Sequence, residues 1–509
     1  MTETIRQLID NGAGGAPVLG APGRPYMSFA ELAALADKTV TAINARGIGR
    51  NDRVAIVLPN GPEMAAAFLA IGSGATTAPL NPAYREEEFE FYLSDLDAKA
   101  LVLEAGGNSP ALAVAEKLGV AVLEIEIPTD VPGAAPAGEF EFTGDAGGVP
   151  AISSGAARAQ DCALILHTSG TTSRPKMVPL SQQNVTASAR NISSTLALTN
   201  IDKCLNIMPL FHIHGLIAAV LSSVSAGASI FCSPGFNALR FFSWMAEAEP
   251  TWYTAVPTMH QTILTRAPRN REIIDAGNLR FVRSSSASLP PRVMAELEDN
   301  FACPVIEAYG MTEAAHQMAS NPLPDAPRKP GSVGPAAGPE VAIMDAGGKI
   351  LEAGEIGEIV IRGRNVFSGY EANPAANAEA FSDGWFRTGD QGVIDGDGYL
   401  SLTGRLKEII NRGGEKISPR EVDEILMDHP AVSQVVTFAM PHAKLGEDVA
   451  AAVVLGEGED ASEDEIRKFA GTRLADFKVP RKILFVDEIP KGATGKLQRI
   501  GLAEKLGLA

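Results

Sequence analysis

The chain has 509 residues, with 61 acidic against 43 basic side chains and a net charge of -18. Its length predicts two or more domains, and a hydrophobic content of 45% is typical of a globular protein and excludes a disordered one. The excess of negative charge argues against a nucleic acid partner. The uncharged stretch 215–232 is interrupted by serine and glycine, so a buried helix followed by a strand is favoured over a membrane span.

The N-terminal part of the chain alternates between predicted helices and strands. Ser28 and Glu31 form a capping box at the start of one helix, and a second helix is predicted at 63–71. Strands are predicted at 54–58, 100–104 and 120–125. This alternation is typical of a parallel sheet covered by helices.

The segment 128–158 is rich in Gly, Ala, Pro and Ser without periodicity, which predicts an exposed connector. It leads to HTSGTTSRPKMVP at 167–179, between a predicted strand and a helix that begins near Ser181. Its hydroxyls, its backbone N–H groups and the cations Arg174 and Lys176 are groups that bind a polyphosphate. A flexible surface loop is the alternative, and the spacing is not that of the common P-loop.

Beyond this stretch the α/β pattern continues and then changes. A helix is predicted at 290–301, and strands are predicted at 252–256, 280–284 and 305–307. From Val341 short β segments separated by Gly and Asp turns predict a small antiparallel unit.

After Gly404 the pattern predicts a separate α+β domain of about 100 residues. Capped helices are expected at Ser418 and Ser462, with strands at 450–455 and 483–486. The predicted domains are therefore 1–404 and 405–509.

Two histidines occur in PLFHIHGL. A metal site built on His212 and His214 would need a third ligand that the sequence does not clearly offer. A gate or pocket wall is the preferred role of His212, and plain packing is the alternative. The four cysteines are widely spaced without a C-x-x-C pair, which favours buried thiols in a reducing compartment.

Three further motifs carry polar groups at strand ends or turns. In EAYGMTE, Thr312 is a candidate phosphate donor and Glu313 a candidate magnesium ligand, because Mg²⁺ prefers carboxylate oxygens together with phosphates. In WFRTGD, Asp390 could accept both hydroxyls of a ribose, although a turn residue is the simpler interpretation. In PKGATGKLQR, Lys496 taken alone is more typical of a solvated surface lysine.

The order and spacing of these motifs resemble the adenylate-forming superfamily of acyl-CoA synthetases, firefly luciferases and peptide-synthetase adenylation domains. The resemblance covers nearly the full length, and HTSGTTSRPK, PLFHIHGL, WYTAVPT, RSSSASL, AYGMTEAAHQM and INRGGEKISP are most similar to oxalate–CoA ligases. It implies a large N-terminal domain of α/β subdomains plus a small β-barrel-like unit, followed by a small mobile α+β C-terminal domain.

The resemblance also implies residue roles. The phosphates of ATP would be held by Thr168, Ser169, Gly170, Thr171, Thr172 and Lys176. The adenine would be framed by Ser286, Ala287, Glu307, Ala308 and Tyr309. Asp390 and Arg405 would bind the ribose, with Thr312 on the α phosphate and Glu313 on Mg²⁺. The acid would lie near Ser286, His316 and His212, although a helix surface is the alternative place for His316. Lys407 would be the hinge, Gly414 would lie beside the coenzyme A tunnel, and Lys496 would bridge the carboxylate and the α phosphate.

The implied reaction converts oxalate, ATP and coenzyme A to oxalyl-CoA, AMP and pyrophosphate through an acyl-adenylate. Lys496 and Mg²⁺ can neutralise the repulsion between two anions, and a swing about Lys407 would then clear the site for the thiol. The alternatives are a ligase for malonate, glycolate or a short-chain acid, an enzyme that loads a carrier protein, and a nucleotide-binding regulator without catalysis. We expect a cytoplasmic monomer or homodimer without membrane attachment. Met177 departs from the family, which usually has glycine there, so the phosphate loop could differ in backbone geometry.

Overall fold

A computed structural model of the protein describes residues 3–128, 135–143, 149–168, 175–490 and 499–508. Within these ranges the backbone forms four sheets, two of them large and mainly parallel. The mixed α/β class predicted from the sequence is confirmed. No helix in the described ranges combines the length and the apolar character needed to cross a bilayer.

The strands before the middle of the chain are β1 (Pro17–Ala21), β2 (Arg24–Ser28), β3 (Arg53–Ile56), β4 (Thr76–Pro79), β5 (Ala100–Glu104), β6 (Ala121–Glu126), β7 (Glu141–Phe142), β8 (Cys162–Thr168), β9 (Lys176–Ser181), β10 (Lys203–Asn206), β11 (Ser229–Cys232) and β12 (Trp252–Ala255). They are followed by β13 (Phe281–Ser284), β14 (Val305–Met311), β15 (His316–Ser320), β16 (Glu340–Met344), β17 (Gly357–Arg362), β18 (Phe381–Ser382), β19 (Trp385–Ile394) and β20 (Leu400–Arg405). The last are β21 (Ile410–Arg412), β22 (Glu415–Ile417), β23 (Val432–His442), β24 (Gly446–Leu455) and β25 (Lys482–Phe485).

The α-helices are α1 (Ile5–Asp10), α2 (Phe29–Ala45), α3 (Pro62–Gly72), α4 (Glu86–Asp95), α5 (Pro110–Leu118), α6 (Gln182–Thr195), α7 (Ser222–Ser225), α8 (Phe241–Ala248), α9 (Pro257–Leu264), α10 (Arg271–Ala276), α11 (Pro291–Phe301), α12 (Pro374–Ala380), α13 (Pro419–Met427), α14 (Glu463–Gly471) and α15 (Leu502–Lys505). A π-helical segment, His214–Leu221, leads into α7, and short 3₁₀ segments occur at Ala267–Asn270 and Thr312–Ala314.

The two large sheets are packed around a shared apolar core. One has the strand order β7-β6-β5-β3-β4-β8-β9 and the other β15-β14-β13-β12-β10-β11-β1-β2. Helix α3 contacts β3 and β4 of the first sheet and β1 and β11 of the second. It is buried on every side from Met64 to Gly72, as expected for a helix without a polar face that lies between layers.

The remaining two sheets are smaller. Strands β16, β17, β19 and β18 form an antiparallel sheet, and β20 pairs with β19. This confirms the antiparallel unit predicted from Val341. The last sheet has the order β22-β21-β24-β23 with β25 beside β24, and α13 and α14 pack on it around their own apolar cluster. A compact α+β unit is thus present at the C-terminal end of the chain.

The predicted exposed connector at 128–158 is partly wrong. In its described residues the side chains of Ala135, Ala137 and Phe140 are buried, and β7 pairs with β6. Phe140 stacks edge-on against Phe142, with 5.7 Å between the ring centroids. The composition of the segment hid this because two phenylalanines are enough to anchor a stretch that is otherwise rich in Gly, Ala, Pro and Ser.

The predicted caps have different outcomes. Ser28 and Glu31 form a complete capping box on α2, and so do Ser462 and Glu465 on α14. Ser418 occupies the N-cap position of α13, but the prediction that it caps the helix is wrong. Its hydroxyl donates instead to the carbonyl of Thr403 on β20, and it thereby links the start of α13 to that strand.

Candidate active site

Parallel pairing aligns the ends of β12 and β13 with the middle of β14 at the same edge of the larger sheet. Ala255 of β12 is in register with Ser284 of β13, and Ser284 with Glu307 of β14. The chain after β13 turns through Ser286, whose φ is +73°. A non-glycine residue in the left-handed region is strained, and such strain concentrates at ligand sites. Ala287, beside it, is exposed at this edge.

Glu307 and Ala308 hold this edge in place. The buried Glu307 carboxylate accepts a hydrogen bond from the backbone N–H of Leu289 (3.1 Å) through Oε1, whereas its Oε2 has no hydrogen-bond partner among the described residues. Burial raises the pKa of Glu307 from 4.5 to about 7. The hydroxyl of Ser285 donates to the carbonyl of Ala308 (2.8 Å).

Tyr309, Asp390 and Arg405 form one cluster. The phenol of Tyr309 donates to the buried Asp390 carboxylate, and Arg405 Nε lies 2.9 Å from Asp390 Oδ1. Asp390 and Arg405 are directly opposite in the β19–β20 pair, which fixes their contact. The neighbouring carboxylate raises the pKa of Arg405, and burial raises the pKa of Tyr309. An acceptor and a donor are therefore presented together, as a ribose requires.

A second carboxylate, Glu313, lies buried in the 3₁₀ segment with the half-buried Thr312 beside it. The hydroxyl of Tyr370 donates to Glu313 Oε1 at 2.9 Å, and burial raises the pKa of Glu313. Lys176 Nζ is 4.4 Å from the centroid of the same tyrosine ring. Tyr370 thus stands between a predicted phosphate-binding lysine and a predicted metal ligand, and no sequence motif had indicated it.

The donor set at Glu313 fits Mg²⁺ bound together with phosphate. Glu313 forms no ion pair among the described residues, and a buried carboxylate of this kind is stabilised by a bound cation. The described residues contain no group of three or more His, Cys, Asp or Glu side chains able to hold a metal by themselves. Mg²⁺ commonly binds through one carboxylate, phosphate oxygens and water, which is what this arrangement offers.

A polar pocket wall is built from His214, Ser286 and Thr254. His214 is fully buried at the start of the π-helical segment. Its Nδ1 lies 3.0 Å from Ser286 Oγ, and its Nε2 lies 2.7 Å from Thr254 Oγ1. The His316 ring packs edge-on against it with 4.9 Å between centroids.

The predicted His212 and His316 occupy different environments. His212 is half-buried, and its Nδ1 accepts the backbone N–H of His214 at 3.2 Å. His316 is buried as the first residue of β15 with φ +97°, so the helix-surface alternative is wrong. A Cβ at Gly310 would lie 2.1 Å from the His316 carbonyl oxygen, so only glycine permits this close approach.

Arg283 lies behind this wall and is fully buried on β13. Its NH1 is 3.5 Å from both His214 Nε2 and Thr254 Oγ1, and its NH2 donates to Gln317 Oε1 at 3.3 Å. Its Nε has no hydrogen-bond partner among the described residues. An arginine inside a short predicted strand, directly after Phe281 and Val282, was the signal that could have identified it.

Some of the predicted site residues lie outside the described residues, namely Ser169, Gly170, Thr171, Thr172 and Lys496. The two described residues that flank the phosphate loop, Thr168 and Lys176, are directly opposite each other in the β8–β9 pair. Lys407 is exposed after β20, and Gly414, with φ +102°, is exposed between β21 and β22.

Arg499 is the first described residue after the segment that contains Lys496. Its NH2 lies 2.6 Å from Asp423 Oδ2, its Nε lies 3.2 Å from Glu408 Oε2, and its NH1 donates to the carbonyl of Thr437 at 2.9 Å. This half-buried arginine therefore joins the chain just after β20 to helix α13 and strand β23.

Comparison with known proteins identifies the class. The pattern of the family described as AMP-binding enzyme matches residues 11–371, and that of the AMP-binding enzyme C-terminal domain matches residues 421–496. The chain belongs to the AMP-binding enzyme family.

Particular relatives are more specific. The chain is 45% identical to the oxalate–CoA ligase of Arabidopsis thaliana over 509 residues, which cover 98% of each protein. It is 42% identical to the oxalate–CoA ligase of Saccharomyces cerevisiae, with 89% of this chain and 87% of the relative covered. The crystal structure of ATP-bound MatB from Rhodopseudomonas palustris matches with a TM-score of 0.88 at 32% identity and covers 99% of both chains.

Proposed function

We propose that the protein is an ATP-dependent oxalate–CoA ligase, which converts oxalate, ATP and coenzyme A to oxalyl-CoA, AMP and pyrophosphate. The observation that carries the proposal is the polar wall of His214, Ser286 and Thr254, with His316 packed against it, beside the Tyr309 cluster. A fatty or aromatic acid needs an apolar pocket, whereas a second carboxylate needs hydrogen-bond donors. The two oxalate–CoA ligases among the relatives support the same substrate.

ATP is proposed to lie along the edge where these groups converge. Its phosphates are assigned to Thr168, Ser169, Gly170, Thr171, Thr172 and Lys176. Its adenine is assigned to Ser286, Ala287, Glu307, Ala308 and Tyr309. Asp390 and Arg405 hold the ribose, and Thr312 donates to the α phosphate. The contacts among Tyr309, Asp390 and Arg405 support this arrangement.

Glu313 is proposed to hold Mg²⁺, which when bound supplies positive charge to the phosphates. Tyr370 orients the Glu313 carboxylate by its hydrogen bond to Oε1. The same ring lies under the ammonium group of Lys176, so it fixes the distance between the lysine and the carboxylate.

The reaction proceeds in two displacements. A carboxylate oxygen of the acid bonds to the α phosphorus of ATP, and the bond from that phosphorus to the oxygen bridging the β phosphate breaks to release pyrophosphate. Lys496 is proposed to bridge the two anions and to stabilise the charge that develops. The thiolate of coenzyme A then bonds to the acyl carbon, AMP leaves with the electrons of the broken C–O bond, and no side-chain nucleophile is needed.

The domain boundary is proposed at 404/405, with Lys407 as the hinge between half-reactions and His212 as a gate to the acid pocket. Gly414 is assigned to the coenzyme A tunnel, where its exposed turn leaves space for a ligand. All four cysteines are free thiols, which supports a reducing compartment such as the cytoplasm. We further propose a monomer or homodimer.

The test is AMP and pyrophosphate release with a panel of acids, measured with and without coenzyme A. We expect oxalate to give the highest kcat/KM and AMP release to require coenzyme A. Pyrophosphate exchange without transfer to free coenzyme A would indicate a carrier-loading enzyme. ATP binding without exchange would indicate a regulator. Turnover confined to long-chain or aromatic acids contradicts the proposal.

A further inference from the structure

Arg283 is a buried cation surrounded by uncharged groups. Its side chain is fully buried, and the hydrogen-bond partners of its guanidinium are an imidazole, a hydroxyl and a primary amide. The amide of Gln317 cannot turn away, because its NH₂ group donates to Thr195 Oγ1 and to the carbonyl of Ala337, both at 3.1 Å. No carboxylate takes part in this set of contacts.

Such a site is costly for the free protein. A guanidinium moved out of water without a counter-charge loses solvation that neutral acceptors replace only in part. Burial accordingly lowers the pKa of Arg283 from 12.5 to about 9. An anion bound nearby would offset this cost. Ser286 is half-buried, whereas Arg283 and Thr254 are fully buried, so an anion can approach from the side of Ser286.

The guanidinium also fixes the direction of a hydrogen-bond chain. Arg283 can only donate, so Thr254 Oγ1 and His214 Nε2 accept from it. The Thr254 hydroxyl proton is then directed to His214 Nε2, at 2.7 Å, which makes Nε2 the unprotonated ring nitrogen. His214 consequently carries its proton on Nδ1 and donates to Ser286 Oγ at 3.0 Å. The Ser286 hydroxyl, having accepted, keeps its own proton available to donate to a ligand.

We propose that Arg283 is a positioning residue for substrate recognition, which orients the Thr254–His214–Ser286 chain so that Ser286 donates to the distal carboxylate of a small dicarboxylic acid. The inference rests on the proposed acid–CoA ligase function and deepens it. Selectivity for a second negative charge comes from the buried guanidinium, and selectivity for an acceptor comes from the Ser286 proton. A monocarboxylic acid without a second acceptor group satisfies neither.

The experiment compares oxalate with oxamate, in which an uncharged amide replaces one carboxylate, in the full-length wild type and in Arg283→Met. We expect Arg283→Met to lower kcat/KM for oxalate about tenfold or more, mainly through KM, because the second carboxylate loses a compensating positive charge and an oriented donor. We expect less than a threefold change for oxamate and for the KM of ATP. Arg283→Lys, which keeps the charge, should recover part of the loss.

The matched control is Arg280→Met, just before the same strand. Arg280 forms an ion pair with Asp202 (2.5 Å) outside the pocket, so its loss should leave the oxalate-to-oxamate ratio unchanged. Thr254→Val gives an independent test with a nearly equal volume if Arg283→Met folds poorly, and it should lower the same ratio. Equal losses for oxalate and oxamate in both pocket variants overturn the inference.

The outcomes separate the two proposals. A wild type that prefers another diacid refutes oxalate as the substrate, and the same ratio measured with that diacid and its monoamide then decides the role of Arg283. A wild type that prefers monocarboxylic acids refutes both.

Discussion

Glu307 is a single residue whose burial makes stability depend on pH. Its pKa in the folded protein, about 7, exceeds the ordinary value of 4.5 because burial disfavours the charged form. The folded state therefore binds a proton that the unfolded state has released between these values. The contribution to stability is complete below pH 4.5 and is lost as pH rises through 7.

We expect Glu307→Gln to remove this dependence, since the amide is neutral at every pH. The Tm of the variant minus the Tm of wild type should increase from about pH 5.5 to about pH 8.5, and the corresponding free energy is roughly 3 kcal/mol at most. The exposed Glu457→Gln is the control, and it should change the Tm by the same amount at both pH values. An identical difference between Glu307→Gln and wild type at the two pH values would contradict the burial argument.

Residue-scale prediction from sequence is most specific where a motif names one position and weakest where neighbours decide. Motifs and the family resemblance single out Asp390, Arg405 and Glu313, whose side chains interact electrostatically in the structure, and their roles stay predictions. His214 was considered only as half of a metal pair. Its role depends on Thr254 and Ser286, which approach it through strand register and not through sequence proximity.

Strand β9 contains Met177, the residue at which the phosphate-loop motif departs from the family pattern. Met177 stands where the family usually has glycine, but it is not among the residues with a left-handed backbone. It pairs with His167 across the hairpin, and its side chain packs on the apolar cluster around Phe89 and Ile165. Glycine is therefore not required at this position for backbone geometry.

We expect Met177→Gly to lower Tm, because the strand loses side-chain packing and gains backbone entropy in the unfolded state, together roughly 1–3 kcal/mol. The KM for ATP should change less than about threefold, since the backbone path is already accessible to methionine. Met177→Ala separates the loss of packing from the effect of glycine. A tenfold fall in the KM of ATP without loss of Tm would instead mean that methionine distorts the phosphate loop.

Elements were predicted best where periodicity or capping is strong. The helix at 63–71 and the Ser462 cap were placed correctly, since both depend on local patterns. The burial of Phe140 and the contact between Ser418 and Thr403 were missed, because each depends on a surface supplied by a distant strand.

At the scale of the whole molecule, Lys496 is proposed to serve the first half-reaction and not the second. We expect Lys496→Ala to abolish pyrophosphate exchange, because the lysine is needed while two anions approach each other. Thioester formation from supplied acyl-adenylate should be spared, since no carboxylate then has to approach a triphosphate. The exposed Lys468→Ala, on α14, is the control for charge and should affect neither step. Equal loss of both half-reactions in Lys496→Ala would refute its assignment.

The bonds of Arg499 have a mechanical consequence for such a molecule. Its partners Glu408, Asp423 and Thr437 all follow Lys407 in the chain, so every contact lies on the same side of the proposed hinge. A rotation at Lys407 leaves these contacts intact and carries the anchor of the lysine segment with it. The two catalytic states would then share these three contacts, so a turnover would not require them to be broken and formed again.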